Sequence, residues 1–529
     1  MEHLKSFPIL ELPIVNPLIN AYLGEKDEIR PFFNLLPLKS NVEEQIKQRK
    51  DFYINRALLV AVLKEQYANT QTSLLTNENI LSLLSENTFT VTAGHQLCLL
   101  GGPNYLIIKI CSVIATCKKL KAENPTYKFV PVFWLASEDH DFEEVSTINL
   151  FGRKLKWNTQ QGGALGRYKK NNFDKIFSEL TDYFSNNSEI VKIIEDYKQF
   201  FSPEETYSQS FKKWINYLFG EHGLIIIDAD SQKLKDSFCS IILKELTESS
   251  ASLKVADAGK KLKDLGYIEQ LKFDGTALFY LSENGRTKIV KNESHFQIGD
   301  KKYSEQELLE LVSKEPENFS PNAALRPLYQ EYILPNIAFI GGGGELSYWL
   351  QLKELFELHK ISFPMLCLRD SVFIIDSANY TRFKSFNYSW NDLFKSLELL
   401  KKEYLSTVEF EEISLVNEID NLKTILLNIK SKVENIDKSL IASVEAEEKR
   451  ITTALTTIEN KLNKVNKAKF EKELNQIKKL KEFLFPQNNL QERFINHLNL
   501  IEGNNISELI STLIDSCNAL EPKVHFLKT

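Results

Sequence analysis

Five short stretches of this chain have the make-up of buried strands, four of them largely apolar and one alternating small and β-branched residues, and each runs into glycine or polar residues. They are TFTVTA at 88–93, FVPVFWL at 129–135, GLIIIDAD at 223–230, NIAFI at 336–340 and PMLCL at 364–368. A strand with one wet face alternates, whereas a strand covered on both faces does not, so these runs predict a parallel sheet sandwiched by helices. Residues 104–120 carry apolar side chains at helical spacing, with Pro103 suited to a first turn. The region 88–141 thus predicts a β-α-β unit, and further helices after 230 and 345 alternate with the remaining strands. The fold class expected is α/β, with a doubly wound core over 87–376.

Two segments interrupt that rhythm. The first, about 142–220, holds Arg153, Trp157, a Gly162-Gly163 turn and a helical stretch near 207–218. The second, about 252–325, switches to period two at 277–281, 287–290 and 295–298, separated by Glu283-Asn284-Gly285 and Gly299-Asp300 turns, which predicts a small β-rich insertion. Residues 1–86 predict a helical extension, with an amphipathic stretch at 41–68. From 365 to 485 there is neither glycine nor proline. Ile419, Leu422, Leu426, Ile429, Val433, Ile436 and Leu440 step by three and four, as do Ile451, Leu455, Ile458, Leu462 and Val465. That is the seam of an α-helical coiled coil over 377–486, with its phase lost at 441–450. A forty-residue helix would extend ~60 Å. Its apolar stripe needs either the other helix of the same chain or a second copy, and a homodimer satisfies both. Residues 487–529, starting with a short helix at 489–493, are expected to return to the core.

Composition narrows the function. With 529 residues, 43% hydrophobic and 26% charged, the chain has the make-up of a multidomain globular protein. A net charge of −6 and a pI near 5.9 give no overall pull toward nucleic acid or anionic membrane. The opening MEHLKSFPILELP has no long apolar stretch, and no run reaches the roughly 18 residues of a membrane span. Six cysteines without CxxC spacing argue against structural zinc and secreted disulfides, so a reduced cytoplasm is expected.

In an open parallel sheet the ligand crevice lies beyond the carboxyl ends of the strands. The loop Gly94-His95-Gln96 through Gly101-Gly102-Pro103-Asn104 and the quartet Glu138-Asp139-His140-Asp141 should therefore face one cleft. Glycines admit close backbone approach, and a helix start favours an anion, so the loop is a candidate phosphate site with His95 as a donor to a phosphate oxygen. It is neither a Walker A loop nor GxGxxG. Its plainer reading is a glycine turn needed for strand-to-helix packing. Glu138, His140 and Asp141 are candidate acid–base groups and Asp139 a binding group, against the plainer reading of a helix cap. Strand alternation would give any one site about two of the four. No further ligands are spaced for a metal. Gly343, Gly344 and Glu345 form a second glycine turn whose acid suits a ribose hydroxyl or an ammonium better than a phosphate. Arg326 and Arg369 are the cations placed to contact carboxylate or phosphate. Cys98 has apolar neighbours that would raise its pKa, so burial is expected.

Taken in order, TAGHQLCLLGGPNYLIIKI, PVFWLASEDHDFEEV, GGGGELSYWLQLK and PQNNLQERF resemble the bacillithiol-biosynthesis cysteine-adding enzyme family (BshC) over essentially the whole chain. The resemblance implies a Rossmann-like core similar to class I aminoacyl-tRNA synthetases, two insertions and a dimerising coiled coil. It further implies a ligase joining the carboxyl of L-cysteine to the amine of glucosaminyl malate. Gly94, His95 and Gln96 would then take the place of the synthetases' first signature and Gly343–Glu345 that of their ribose turn. Arg369 is a topological candidate for the second signature, since no KMSKS-like text is present. ATP is the implied activating substrate, with His140 or Asp141 receiving the amine proton. A nucleotidyl- or aminoacyl-transferase on the same fold, or a non-enzymatic coiled-coil assembly protein, are the alternatives.

Overall fold

The computed structural model describes residues 1–529 apart from 284, 409, 411 and 502–504, so Asn284 of the expected turn lies outside the described residues. The chain divides into two compact units, 1–376 with 489–529, and 377–488.

The larger unit is built on five parallel strands in the spatial order Met365–Leu368, Asn336–Gly341, Thr88–His95, Lys128–Leu135 and Ile225–Asp228. These are the five buried runs of the sequence. Thr88–His95 is central, and its threonines are part of the reason. Thr90 and Thr92 donate to Asn336 Oδ1 at 3.1 and 2.8 Å, and Asn336 passes its amide to Glu331 Oε1 at 2.8 Å. This buried polar chain pins the register beside the irregularity between Asn336 and Ala338. Helix Tyr105–Glu123 follows the central strand. It is apolar almost all round because it lies buried between that sheet and helix Ile506–Ser516.

The first insertion contains the hairpin Thr147–Leu150/Arg153–Lys156 and the helices Phe173–Tyr183, Ser188–Lys198 and Tyr207–Phe219, with Phe173 and Tyr207 packed on Trp157. The second contains a five-stranded antiparallel sheet, with Gly285–Lys291 at its centre. It also carries helices Ser250–Asp264 and Glu305–Lys314, so it is less purely β than its period-two runs suggest.

Residues 1–86 are not wholly helical. Glu2–Pro8 is a strand, antiparallel to Lys523–Lys528, which itself lies parallel to Ser371–Ile375. Nothing local announces this strand because its partner is at the other end of the chain. The stretch 41–68 is likewise two helices, Val42–Lys50 and Arg56–Tyr67, the second capped by Asn55.

The return segment acts as a clamp. Gln491 exchanges two hydrogen bonds with the backbone of Ile374, at 2.9 and 3.0 Å. Glu492 accepts the Val372 N–H at 2.8 Å and the Ser371 hydroxyl at 3.1 Å, while pairing with Arg369 at 2.7 Å. Side chains thereby stand in for a neighbouring strand along Ser371–Ile375.

In the smaller unit, Val416–Glu434 and Ile441–Ala468 pack on each other, tied by Lys430 to Glu448 at 3.0 Å. Helix Glu471–Leu484 follows. Each helix thus finds the other within the chain, yet of the seam residues Leu426 is buried while Ile429, Leu440, Ile458, Leu462 and Val465 stay exposed. The break falls at 435–440 rather than 441–450. Asp437 caps a short turn there, and Ile436, counted in the seam, is 82% exposed.

Glu492→Ala should cost roughly 3–5 kcal/mol, because it strands a buried guanidinium and an edge-strand N–H. Urea unfolding would measure this, and an unchanged midpoint would refute the clamp.

Candidate active site

At the carboxyl end of the sheet lies a cleft of about 740 Å³. The central strand delivers Gly94 and His95, the strand Lys128–Leu135 leads to Glu138 and Asp139, and Asn336–Gly341 leads to the turn Gly342–Glu345. Gly344 has open space where a side chain would begin, so the turn shows bare backbone to the cleft.

Its floor is organised by Lys109, on the helix after the central strand. Only 1% exposed, its ammonium donates to the Gly94 carbonyl at 3.1 Å and to Glu345 Oε2 at 2.5 Å. Burial lowers the Lys109 pKa against the pull of Glu345. Burial would raise Glu345, but Lys109 and the Gly342 N–H outweigh it and hold the carboxyl below its ordinary range. His95 stacks on Tyr105 and bonds its hydroxyl at 2.8 Å. Burial, reinforced by the Lys109 charge, lowers its pKa to about 3, so the ring is neutral at physiological pH.

Carboxylates line the cleft. Asp139 accepts from Gln96 at 2.6 Å, and Gln96 also donates to Glu144 at 2.9 Å. Asp139 would be raised by burial, yet Gln96 and the His140 N–H bring it below normal. Glu138 pairs with buried Lys235 at 2.5 Å, and burial raises its pKa. Guanidinium groups line the cleft as well. The Arg326 guanidinium donates to the neutral Gln330 and Tyr348, at 3.1 and 3.2 Å, and neither it nor Arg493 has an ion pair among the described residues. Arg286, from the second insertion, approaches Asp139 at 3.7 Å and lies over Phe279.

Of the residues the sequence singled out, Gly94, His95, Gln96, Glu138, Asp139, Arg326, Gly343, Gly344, Glu345 and Arg369 line this one cleft. Five do not. His140 is exposed and faces Phe279, its ring 3.6 Å from Asp139. Asp141 caps the short helix Phe142–Val145, the plainer role weighed for the quartet. The chain turns out of strand geometry after Leu135, so alternation no longer presents the last two residues to the cleft. Gly101, Gly102 and Asn104 are buried in packing. Trp214 sits 2.8 Å from where a Gly101 side chain would begin, Asn496 donates to the Leu100 and Gly102 carbonyls, and the Asn104 N–H is taken by Ile495. The glycine loop is therefore not an open phosphate cradle, and its φ of +79° at Gly101 serves the turn itself. Glu345 finds its ammonium inside the chain, in Lys109. The cleft residues that the sequence reading passed over are Lys109, Tyr105, Glu144, Arg286 and Arg493. A lone lysine in the all-apolar LIIKICSV was the signal for the first. Arg286 and Arg493 carry no local mark.

Among the described residues no three metal-ligating groups converge, and no helix is long and apolar enough to cross a membrane.

The fold and cleft define a Rossmann-like enzyme-type core. Family models agree over almost the whole chain: the bacillithiol biosynthesis BshC N-terminal Rossmann-like domain matches residues 6–370, and the BshC C-terminal coiled-coil domain matches 372–528. The chain belongs to the BshC family. Relatives named "Putative cysteine ligase BshC" include one from Flavobacterium psychrophilum, 37% identical over 97% of each chain. One from Christiangramia forsetii is 34% identical over 99% of this chain and 98% of its own. A solved structure described as an arginyl-tRNA synthetase, from Campylobacter jejuni, aligns over 85% of this chain and all of its own, at 10% identity and a TM-score of 0.21. That overlap is too low to carry the expected likeness to the synthetases.

A histidine whose pKa is depressed on folding binds fewer protons than in the unfolded chain, so its share of stability falls as pH drops below about 6.5. The stability of His95→Gln relative to the natural chain should therefore improve between pH 7 and pH 5 in urea melts. A pH-independent difference would contradict a neutral, buried His95.

Proposed function

We propose that this chain is a cysteine ligase of bacillithiol biosynthesis, forming the amide between the carboxyl of L-cysteine and the amine of glucosaminyl malate. The reading rests on one cleft being lined both by guanidinium groups, of which Arg326 and Arg493 have no ion pair among the described residues, and by the carboxylates of Asp139 and Glu144. The first suits the malate carboxylates and the second an ammonium. Both reactants are held beside a neutral imidazole that can donate or accept a hydrogen bond without bringing charge.

A carboxylate does not acylate an amine unaided, and ATP is the activating substrate we assign, supplying a phosphate-bearing leaving group. The residues present fit it. Arg326 and Arg493 would hold phosphates, and the bare backbone at Gly344 leaves room against the sheet end. The chain's own residues do the rest. Lys109 fixes Gly94 and Glu345, Gln96 orients Asp139 and Glu144 together, and Glu144 receives the amine proton. That role passes to Glu144 because His140 and Asp141 lie outside the cleft. The arrangement works in the cytoplasm as a homodimer, for which the exposed Leu427, Ile429 and Val465 of the helical unit supply the apolar contacts.

Incubating the purified chain with L-cysteine, glucosaminyl malate and ATP should give the cysteinyl amide by mass spectrometry. Glu144→Gln should lower kcat about 10²-fold. Arg326→Ala should raise KM for glucosaminyl malate or ATP about tenfold or more with a smaller effect on kcat. Unaltered kinetics in both variants would overturn the assignment of the cleft.

A further inference from the structure

A second cluster lies away from the cleft, on the small sheet that joins the two ends of the chain. The antiparallel pairing of Glu2–Pro8 with Lys523–Lys528 sets Ser6 directly opposite His525. Ser6 Oγ is 2.8 Å from His525 Nδ1, and His525 Nε2 is 3.1 Å from Asp370 Oδ1. Asp370 is fully buried and is oriented by the N–H groups of Asn518 and Lys523, at 2.9 and 3.1 Å.

The direction of each bond follows from the carboxylate. Asp370 only accepts, so His525 donates from Nε2, and the tautomer that does so carries its lone pair at Nδ1. The Ser6 hydroxyl must donate to that lone pair. His3 Nε2, 2.7 Å away, completes the chain by donating to Ser6 Oγ. A hydroxyl whose proton points at an imidazole held by a buried carboxylate is the arrangement of an activated serine. The two ring nitrogens are used in the opposite sense to the serine-protease template, which leaves the proton transfer unchanged.

The cluster opens on a cavity of about 420 Å³ that shares no lining residue with the cleft. Lys119 and Lys523 line it, and neither is ion-paired among the described residues. Asn518 also lines it and is only 7% exposed, yet its side-chain oxygen has no partner. A buried amide left unsatisfied beside a nucleophile and two cations points to a polar ligand.

We propose that Ser6, His525 and Asp370 form a second, esterolytic site for a small carboxylic ester carrying an anionic group. Ser6 Oγ adds to the acyl carbon while its proton passes to His525 Nδ1. The bond from acyl carbon to ester oxygen breaks, and the alcohol leaves with that proton. Water, deprotonated by His525, then cleaves the acyl-serine to the acid and restores Ser6, so one water is consumed and nothing is oxidised.

The full-length protein should be treated with a fluorophosphonate and separately assayed on p-nitrophenyl acetate. The expected result is one adduct per chain, mapped by peptide mass to Ser6, absent from Ser6→Ala and slowed about tenfold or more in His525→Gln. Ester turnover should fall in parallel, with the thermal melt of Ser6→Ala unchanged and its amide-forming activity intact. No adduct, an adduct elsewhere, or equal ester turnover in Ser6→Ala would mean that these bonds only staple the chain ends together. Should His525→Gln fail to fold, Ser6→Ala alone decides.

Discussion

A single buried ammonium holds the functional end of this protein together. Lys109 is charged in a place that water does not reach, a situation that costs several kcal/mol unless geometry compensates. Compensation comes from two distant parts of the chain, the Gly94 carbonyl at the end of the central strand and the Glu345 carboxylate on the second glycine turn. The strand, the helix and the turn are thereby fixed to one another at the point where the cleft begins. The same charge helps keep His95 neutral, so the electrostatics of the cleft and its shape share a cause.

Around that point the polar groups are sorted rather than scattered. Gln96 joins Asp139 to Glu144, Lys235 neutralises Glu138, and Glu492 neutralises Arg369. Arg326 and Arg493, which form no ion pair among the described residues, are what a charged ligand can engage. The C-terminal return is essential to this, because Gln491 and Glu492 satisfy the strand Ser371–Ile375 and carry Arg493 to the rim. A chain cut before that return would leave an edge strand bare and a guanidinium buried alone.

The core was readable because burial on both faces of a parallel sheet leaves an unmistakable local mark, the five buried runs. The second insertion was marked by a change of period, the first only by the long interval it opens between core strands, and the helical unit by its three-and-four spacing. The strand Glu2–Pro8 left no such trace, since its pairing depends on residues more than five hundred positions away. The helix break at 435–440 was misplaced because apolar spacing continued through it, and a seam reports where side chains could pack, not where the backbone turns.

For the site, sequence alone was enough to say that Gly94, Glu138, Glu345 and Arg369 belong near strand ends, because the ends of buried runs are visible in the text. Tertiary structure alone decided which of the polar residues there face the cleft. Gly101 and Gly102 turned inward to meet Trp214 and Asn496, Asp141 closed a helix, and Lys109, Arg286 and Arg493 came in from elements that share no motif. The reason is physical: periodicity encodes the burial of apolar surface, which neighbours along the chain share. The partner of a charge is set by distances between segments that only the packed fold brings together.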